Sequence, residues 1–356
     1  MATIVMAGGG TGGHVVPLLA VARELASRGH QSVFIGTRTG FEAKLVPQSG
    51  FPLEFIEIGG LNRVGVMRTL RTLAQLPFSV RRSAQLLAKH QASAVFSLGG
   101  YAAGPVAIAA RWKHVPLVVM EPNAMPGLTN RQIGRFVNRA LLSFPEAARF
   151  FPPGKSEITG LPVRPEFFRI APKQRESKLT ILITGGSQGS RTLNEAASGS
   201  WSYFREARFP VRFIHQTGVA AHAALAQKLA ESGLEGEVAP FIDDMPAAFA
   251  RADLIICRSG AGAVAELAAA GKPSILVPFP HSTDQHQLRN AEAFEKAGAA
   301  VLVLDHEMDG GRLFEEVEKL RARPEMLQRM GERARGFAHP DAGRRAASVL
   351  ETVIVH

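Results

Sequence analysis

The chain has 356 residues, 46% of them hydrophobic and 20% charged, which excludes a disordered or fibrous protein and fits a folded α/β protein. One hydrophobic core stops growing at roughly 250 to 300 residues, so this length predicts two domains. The net charge of +10 favours anionic partners, and the single cysteine, Cys257, excludes an intramolecular disulfide.

The first part of the chain has the order of a βαβ unit. The pattern predicts a strand over residues 3–7, a glycine loop over 8–13, a helix over 16–28 and a strand over 32–35. No basic segment precedes the first strand, so we expect no signal peptide. Gly99-Gly100-Tyr101 and Gly104-Pro105 divide the longest uncharged stretch into strand, loop and helix, so we expect no transmembrane segment.

The same order of elements restarts in the second half. The pattern predicts a strand over residues 180–184, a glycine loop over 185–189, a helix from about Arg191 and a strand over 211–215. Glycine and proline are frequent in residues 159–165, which indicates a linker. We predict two Rossmann-like α/β domains with parallel sheets, facing each other across a cleft. The predicted boundaries are 1–162 and 163–338, with a C-terminal helix in 339–356 that returns to the first domain.

The first glycine loop has a spacing that suits a diphosphate. Gly8, Gly10 and Gly13 follow a strand and open a helix, where backbone N–H groups can bind phosphate oxygens. A dinucleotide enzyme with this motif needs an acidic residue near the end of the second strand, where Gly36-Thr37-Arg38 stands instead. Arg38 leaves an NADP-dependent enzyme open as an alternative, and a structural turn is another.

The second glycine loop allows two interpretations. Gly185, Ser187 and Gly189 have the spacing of the nucleophile elbow of α/β-hydrolases. No His-Gly-Gly-Gly segment supplies an oxyanion hole, whereas a serine hydroxyl and backbone N–H groups suit a phosphate. We favour a phosphate-binding loop, with a hydrolase and a plain turn as alternatives.

Several titratable residues are candidates for chemistry. His14 begins the helix after the first glycine loop, and a helix N-terminus keeps imidazole neutral, so His14 is the candidate general base. Glu266 lies on the predicted helix after Arg258-Ser259-Gly260, where a carboxylate can bind both hydroxyls of a ribose. His281, Asp284 and His286 match no common metal-site spacing, so we predict no metal site.

Read together, these motifs resemble the MurG family, GT-B-type glycosyltransferases that add N-acetylglucosamine to the lipid-linked muramyl peptide precursor of peptidoglycan. The resemblance spans nearly the whole chain. It is carried by Gly9-Gly10-Thr11-Gly12-Gly13-His14, Leu98-Gly99-Gly100-Tyr101, Glu121-Pro122-Asn123, Gly127-Leu128-Thr129-Asn130, Gly186-Ser187-Gln188-Gly189, Phe241-Ile242-Asp243-Asp244-Met245, Arg258-Ser259-Gly260-Ala261, His286-Gln287 and Asn290-Ala291. Pro122 replaces a frequent glutamine of the family, and Asp284-Gln285 replaces a pair of aspartates that some members have.

The resemblance implies that the second domain binds UDP-N-acetylglucosamine. Uracil would lie near Arg164 and the backbone of Ile242, and the ribose would bind Glu266. The implied diphosphate contacts are Ser187 and the helix start at Ala261, Gly262, Ala263, Val264 and Ala265. The implied sugar contacts are Asn123, Gln287, Thr11, Gly12 and Gly13.

The resemblance also implies that the first domain binds the acceptor, an undecaprenyl-linked muramyl pentapeptide. Its implied diphosphate contacts are Gly10, Gly99, Gly100, Tyr101 and Gly104. Attack of the muramyl 4-hydroxyl on the anomeric carbon, opposite UDP, would invert the configuration. His14 is the candidate base and Glu121 the alternative. Backbone N–H groups and a helix dipole can stabilise the departing UDP, so no cofactor is expected to be obligatory.

A basic amphipathic segment over residues 63–89, and the peripheral attachment of the family, imply binding to the cytoplasmic face of the cell membrane. The expected membrane contacts are Arg68, Arg71, Phe78, Arg81, Arg82 and Trp112. The expected anionic partner is therefore lipid and not nucleic acid, with an ordinary solvated helix as the alternative. Two other functions stay open: a nucleotide-sugar transferase with a soluble acceptor, and a nucleotide-binding module without catalysis.

Overall fold

The computed structural model describes residues 1–9, 12–59, 66–174 and 176–354, without the side chains of residues 66–71 and 73. It divides into two units. Unit 1 consists of Met1–Val163 with His339–His356, and unit 2 of Arg164–Ala338.

Unit 1 is built on a parallel sheet with the strand order β3-β2-β1-β4-β5-β6-β7. Its elements up to the linker are β1 (Thr3–Gly8), α1 (Gly12–Ser27), β2 (Gln31–Gly36), α2 (Glu42–Gln48), β3 (Leu53–Phe55), α3 (Val66–Lys89), β4 (Ala94–Gly99), α4 (Ala103–Trp112), β5 (Leu117–Glu121), α5 (Leu128–Ile133), β6 (Arg139–Leu142) and β7 (Ser156–Ile158). Every residue of β4 and β5 is buried, as expected for central strands covered by helices on both faces.

Unit 2 repeats this architecture with the strand order β10-β9-β8-β11-β12-β13. Its elements are α6 (Pro165–Phe168), β8 (Leu179–Thr184), α7 (Arg191–Glu206), β9 (Val211–Gln216), α8 (His222–Ser232), β10 (Glu235–Ala239), α9 (Met245–Arg251), β11 (Leu254–Cys257), α10 (Ala261–Ala270), β12 (Ser274–Leu276), α11 (His286–Lys296), β13 (Ala300–Leu302), α12 (Gly310–Arg321) and α13 (Pro324–Arg335). The two parallel sheets confirm the predicted fold class of two α/β domains.

The last helix, α14 (Ala342–Ile354), belongs to unit 1 and packs on α1. Ala346 and Leu350 are fully buried on its inner face. Arg28 Nη1 lies 2.8 Å from Glu351 Oε2 and donates to Ser348 Oγ (2.9 Å), which fixes the helix at the end of α1.

Each predicted glycine loop follows the strand at which the spatial order of its sheet reverses relative to the chain. β1 has β2 on one side and β4 on the other, and β8 has β9 and β11. In open parallel sheets, ligands bind beyond the carboxyl ends of the strands at such a switch point. The helix predicted over residues 16–28 begins earlier, at Gly12, directly after the loop. None of the helices in the described ranges is long and apolar enough to cross a membrane.

Candidate active site

In unit 1, the loops after β1 and β4 are in backbone contact. Gly99 and Gly100 have φ of 87° and 85°, and a Cβ atom on Gly100 would lie 2.7 Å from Gly9 O. Only glycine combines this backbone conformation with so close an approach. Gly10 and Thr11 lie outside the described residues, so the described part of this edge is Gly8–Gly9 with Gly99–Gly100.

His14 lies in the first turn of α1, half-buried, with Nδ1 3.3 Å from Gly9 O. A carbonyl oxygen only accepts hydrogen bonds, so Nδ1 is the donor and the basic lone pair is on Nε2. The geometry suits a general base.

Glu121, the alternative base, is the buried last residue of β5. Its Oε1 accepts from Asn123 N (2.9 Å) and Asn123 Nδ2 (3.0 Å). Its Oε2 accepts from Gly127 N (3.3 Å) and Asn130 Nδ2 (2.8 Å). Burial raises the pKa of Glu121 to about 7, although these donors act to lower it. Because both oxygens are engaged by the protein, Glu121 suits a role in shaping the 122–130 loop better than proton transfer to a substrate.

Glu42, on α2, is a buried carboxylate that sequence reasoning missed. Its Oε1 accepts from Thr37 N (2.9 Å) and Thr37 Oγ1 (3.0 Å). A Cβ atom on Gly9, Gly36 or Gly40 would overlap this side chain. Three glycines therefore make room for one carboxylate beside the first glycine loop. The sequence signal that could have indicated Glu42 was the pair Gly36 and Gly40, just before an acidic residue in the first turn of a helix.

The remaining predicted acceptor residues lie next to this edge. Tyr101 Oη is 3.4 Å from Thr37 Oγ1, which connects it to the Glu42 cluster. Gly104 is in the first turn of α4, whose N-cap residue Ala102 makes no side-chain cap bond. Thr129 Oγ1 donates to Gly100 O (3.1 Å) and fixes the 99–100 turn to the loop shaped by Glu121.

In unit 2, the loop after β8 is a tight turn that presents Ser187 to solvent. Gly186 and Gly189 have φ of 86° and 74°, and Gly189 N donates to Gly186 O (2.9 Å). No described residue accepts from the N–H groups of Ser187 or Gln188. The loop therefore offers a hydroxyl and backbone donors, as expected for a phosphate site.

Gln216, at the end of β9, is a second buried residue that sequence reasoning missed. Its Nε2 donates to Thr184 Oγ1 (3.1 Å) and Gly186 O (2.9 Å), and its Oε1 accepts from Ile242 N (2.8 Å). The Ile242 N–H is thus satisfied by the protein. No described residue donates to the Ile242 carbonyl, which is left to accept from a ligand.

Glu266 lies on α10 and is partly buried, and its carboxylate accepts no hydrogen bond from the described residues. Burial raises its pKa to about 7, and the charge of Arg164 opposes that rise. The α10 N-cap, Gly260, makes no side-chain cap bond, so the first-turn N–H groups at Ala261 to Ala263 face outward uncapped. Val264 differs because it is buried and its N–H donates to Gly260 O (3.0 Å).

Gln287 is fixed near the start of α10. Its side-chain Oε1 accepts from Phe279 N (3.0 Å), and its backbone carbonyl accepts from Ser259 Oγ (2.8 Å). Its Nε2 lies 4.0 Å from the position that a Cβ atom on Gly260 would take. Asp284 and Gln285, just before it, have φ of 51° and 55°, a conformation that non-glycine residues rarely adopt. In the described ranges, no group of three or more His, Cys, Asp or Glu side chains could hold a metal ion.

The predicted membrane residues with described side chains are exposed. Phe78 on α3 and Trp112 on α4 are 77% and 61% exposed, and the two helices pack together. Arg81 and Arg82 are exposed on α3, whereas the side chains of Arg68 and Arg71 lie outside the described part. Ile108 on α4 and Phe136 after α5 are further exposed apolar side chains that the sequence did not single out.

Comparison with known proteins places both units in one family. The glycosyltransferase family 28 N-terminal domain matches residues 4–142, and the family's C-terminal domain matches residues 180–346. A Solibacter usitatus protein is 60% identical over 99% of this chain and 96% of its own length. A Myxococcus xanthus protein is 38% identical over 100% of this chain and 94% of its own length. Both are named UDP-N-acetylglucosamine--N-acetylmuramyl-(pentapeptide) pyrophosphoryl-undecaprenol N-acetylglucosamine transferase.

Solved structures of the same fold support this family assignment. The crystal structure of Acinetobacter baumannii MurG has a TM-score of 0.84 and 33% identity, covering 99% of this chain and 100% of that one. A kitacinnamycin glycosyltransferase, at 17% identity and a TM-score of 0.75, shares the fold. The chain therefore belongs to glycosyltransferase family 28 and, within it, to the MurG family of GT-B-type N-acetylglucosamine transferases.

Proposed function

We propose that this chain is an inverting transferase that moves N-acetylglucosamine from UDP-N-acetylglucosamine to the 4-hydroxyl of undecaprenyl-linked N-acetylmuramyl-pentapeptide, a step of peptidoglycan synthesis. The observation that carries the proposal is the near-full-length identity to relatives named for this reaction. The site geometry supports it, because each unit presents glycine loops suited to one diphosphate.

Unit 2 is the proposed donor domain. The Ile242 carbonyl suits the N3–H of uracil, Arg164 is the proposed further contact of the base, and the Glu266 carboxylate suits the two ribose hydroxyls. The backbone N–H groups of Ser187 and Gln188, with the start of α10, would bind the diphosphate and stabilise the charge that grows on UDP as it leaves. Val264 and Ala265 would contribute to diphosphate binding only through the dipole of α10, of which they are part. Gln287 Nε2 would donate to the sugar.

Unit 1 is the proposed acceptor domain, with the acceptor diphosphate along Gly99–Gly100, Tyr101, Gly104 and the loop at Gly10. His14 Nε2 would take the proton of the 4-hydroxyl as that oxygen attacks the anomeric carbon and the bond to UDP breaks. The proton then resides on His14, and the electron pair of the broken bond leaves with UDP. No cofactor is proposed to be obligatory, since N–H groups and a helix dipole can meet the leaving-group charge.

The test is direct. Purified protein is incubated with UDP-N-acetylglucosamine and either the lipid-linked acceptor or a soluble muramyl peptide, and the release of UDP and the disaccharide product are followed. We expect a β-1,4-linked disaccharide on the lipid acceptor, with other sugar nucleotides turned over much more slowly. UDP release with the soluble acceptor alone would indicate a different transferase, and binding of UDP without turnover would indicate a binding module.

We further propose that unit 1 binds the cytoplasmic face of the cell membrane peripherally, through exposed residues of α3 and α4. Phe78 and Trp112 would insert between lipids, while Arg81 and Arg82, with Arg68 and Arg71, would contact anionic headgroups. Each basic residue near an acidic lipid surface contributes about 1 kcal/mol, an effect that salt weakens.

Vesicle co-sedimentation tests this attachment. We expect the triple variant Phe78→Ser/Arg81→Gln/Arg82→Gln to bind anionic vesicles roughly 10- to 100-fold more weakly than the wild type, since two cations and one apolar anchor are lost. The matched control is Met326→Ser/Arg323→Gln/Arg329→Gln, which removes two cations and one large apolar side chain at exposed positions in unit 2. Equal losses in both variants, or equal binding to neutral vesicles, would contradict the proposal.

A further inference from the structure

Gln216 joins two loops that belong to different strands of unit 2. Through Nε2 it bonds Thr184 and Gly186 of the loop after β8, and through Oε1 it bonds the N–H of Ile242 in the segment after β10. A carbonyl can only accept and a backbone N–H can only donate, so these partners fix which end of the amide is nitrogen. The side chain is 2% exposed, so water does not compete for the bonds.

The backbone around Gln216 is held from both sides. His215 Nε2 pairs with Asn194 Oδ1 (3.0 Å), and Asn194 Nδ2 donates to Thr217 O (3.0 Å). Thr217 N donates to Ala239 O (3.0 Å), and Gly218 N donates to Pro240 O (3.1 Å). Because α7 and the segment after β10 both anchor this stretch, the Gln216 side chain has a fixed origin and defines the relative position of the loops it bonds.

We infer that Gln216 is a positioning residue for the donor nucleotide, which holds the diphosphate loop and the Ile242 backbone at the separation that one UDP spans. This inference rests on the proposed function of unit 2 as the UDP-sugar domain. Gln216 itself is buried beneath the loops and acts through them. Binding of a ligand that spans two loops is favoured when both are already in place, since no ordering free energy is then lost on binding.

The chemistry restricts which side chain can do this. Glutamate has the length of glutamine but no N–H, and its charge would repel the Gly186 carbonyl. Asparagine is one methylene shorter and does not reach both loops. Leucine fills the volume but has neither a donor nor an acceptor, and leaves the Ile242 N–H without its partner.

The experiment measures UDP binding by calorimetry and steady-state kinetics for wild type, Gln216→Leu and Gln216→Glu. We expect both variants to raise the Kd for UDP and the KM for UDP-N-acetylglucosamine by about 10- to 100-fold, with kcat within about threefold and the acceptor KM unchanged. Thr184→Val, which removes one partner of the same amide, should raise the KM less. Thr184 Oγ1 also accepts from Gly186 N (3.2 Å), so Thr184→Val added to Gln216→Leu should raise the KM less than Thr184→Val does alone, because only the bond to the amide is already lost.

Trp201→Phe is the control, since Trp201 is buried in the core of unit 2 and its Nε1 makes no hydrogen bond with the described residues of either loop. It should lower thermal stability without changing the KM for the donor. Equal donor KM in wild type and Gln216→Leu, or equal changes in donor KM, acceptor KM and kcat, would overturn the positioning role. A wild type that binds no UDP would instead contradict the proposed function, so the two failures are distinguishable.

Discussion

Glu121 in unit 1, which is buried, and Glu266 in unit 2, which is partly buried, have the same shift in pKa and opposite hydrogen bonding. Burial raises the pKa of each to about 7. Glu121 accepts four hydrogen bonds, from Asn123, Gly127 and Asn130, whereas Glu266 accepts none from the described residues. The pKa alone therefore does not tell a structural carboxylate from a binding one.

The difference teaches that the hydrogen-bond partners of a buried charge are the better guide to its role. A carboxylate whose lone pairs are all matched by protein donors shapes the chain around it. A carboxylate buried without donors costs stability, and such a cost persists at sites where a ligand supplies the missing donors. Glu121 thus organises the 122–130 loop, and Glu266 is suited to the hydroxyls of a ribose.

The supports of the glycine loops differ in the same way. In unit 1, the carboxylate of Glu42 lies among Gly9, Gly36 and Gly40. In unit 2, the amide of Gln216 donates to Gly186 O. Two domains with one architecture therefore support their glycine loops with an acidic side chain in one case and an amide in the other.

The largest effect is expected at the proposed base. His14→Ala should lower kcat by about 10² to 10⁴, with little change in the KM for the donor, which is the usual result of losing a general base. Steady-state kinetics between pH 6 and 9 measures it.

Glu121→Gln and His14→Gln are the controls for that prediction. If Glu121 only shapes its loop, Glu121→Gln should keep the pH dependence of kcat that His14→Ala abolishes. His14→Gln keeps a hydrogen-bonding group of similar size but no base, so it should be nearly as inactive as His14→Ala. Wild-type kcat in His14→Ala would move the base elsewhere and end the distinction drawn between Glu121 and His14.

A smaller effect, confined to donor binding, is expected at Glu266. Glu266→Ala should raise the KM for UDP-N-acetylglucosamine about 10- to 100-fold, since charge-assisted hydrogen bonds to two hydroxyls are worth roughly 1.5 to 3 kcal/mol. The acceptor KM should not change.

Glu316→Ala is the matched control, because Glu316 is a buried glutamate of unit 2 that is already paired with Arg312 and Lys319. Its loss should affect stability and leave the donor KM as in the wild type. A donor KM that stays unchanged in Glu266→Ala would remove Glu266 from the site.

Local signals in the sequence were sufficient to single out the glycine loops and His14, whose role as the base stays a prediction. They failed where a role depends on partners distant in the chain. Gln216 bonds Thr184 and Ile242, which are 32 and 26 residues away, and only the pairing of strands in the sheet brings them together.

Glu42 was missed for a related reason. An acidic residue was sought near the end of the second strand, but the chain first turns through Gly36 and Gly40 and places its carboxylate on the first turn of α2. The start of α1 was set too late because glycine is a poor helix former, and the tertiary fold overrides that preference at Gly12. Ile108 and Phe136 show no sequence pattern, since their exposure follows only from how the helices pack.

The comparison of the two glutamates is tested most directly by the thermal stability of Glu121→Gln and Glu266→Gln. A carboxyl group whose pKa is raised from 4.5 to about 7 on folding destabilises the fold above pH 7, and this penalty disappears as the pH falls below 4.5. Glutamine at 266 removes the charge and strands no described donor, so it should stabilise unit 2 by about 1 to 3 kcal/mol at pH 8 and much less at pH 5. Glutamine at 121 removes an equal charge penalty but places an NH₂ group against the donors of Gly127 and Asn130, so at pH 8 it should be less favourable to stability than glutamine at 266 by about 1 to 3 kcal/mol.

Calorimetry of wild type and both variants at pH 8 and pH 5, with and without UDP, measures these shifts. The account predicts a more favourable shift for Glu266→Gln than for Glu121→Gln at pH 8, with UDP stabilising the wild type and Glu121→Gln much more than Glu266→Gln. Equal stability shifts in the two variants, or equal stabilisation of all three proteins by UDP, would contradict it.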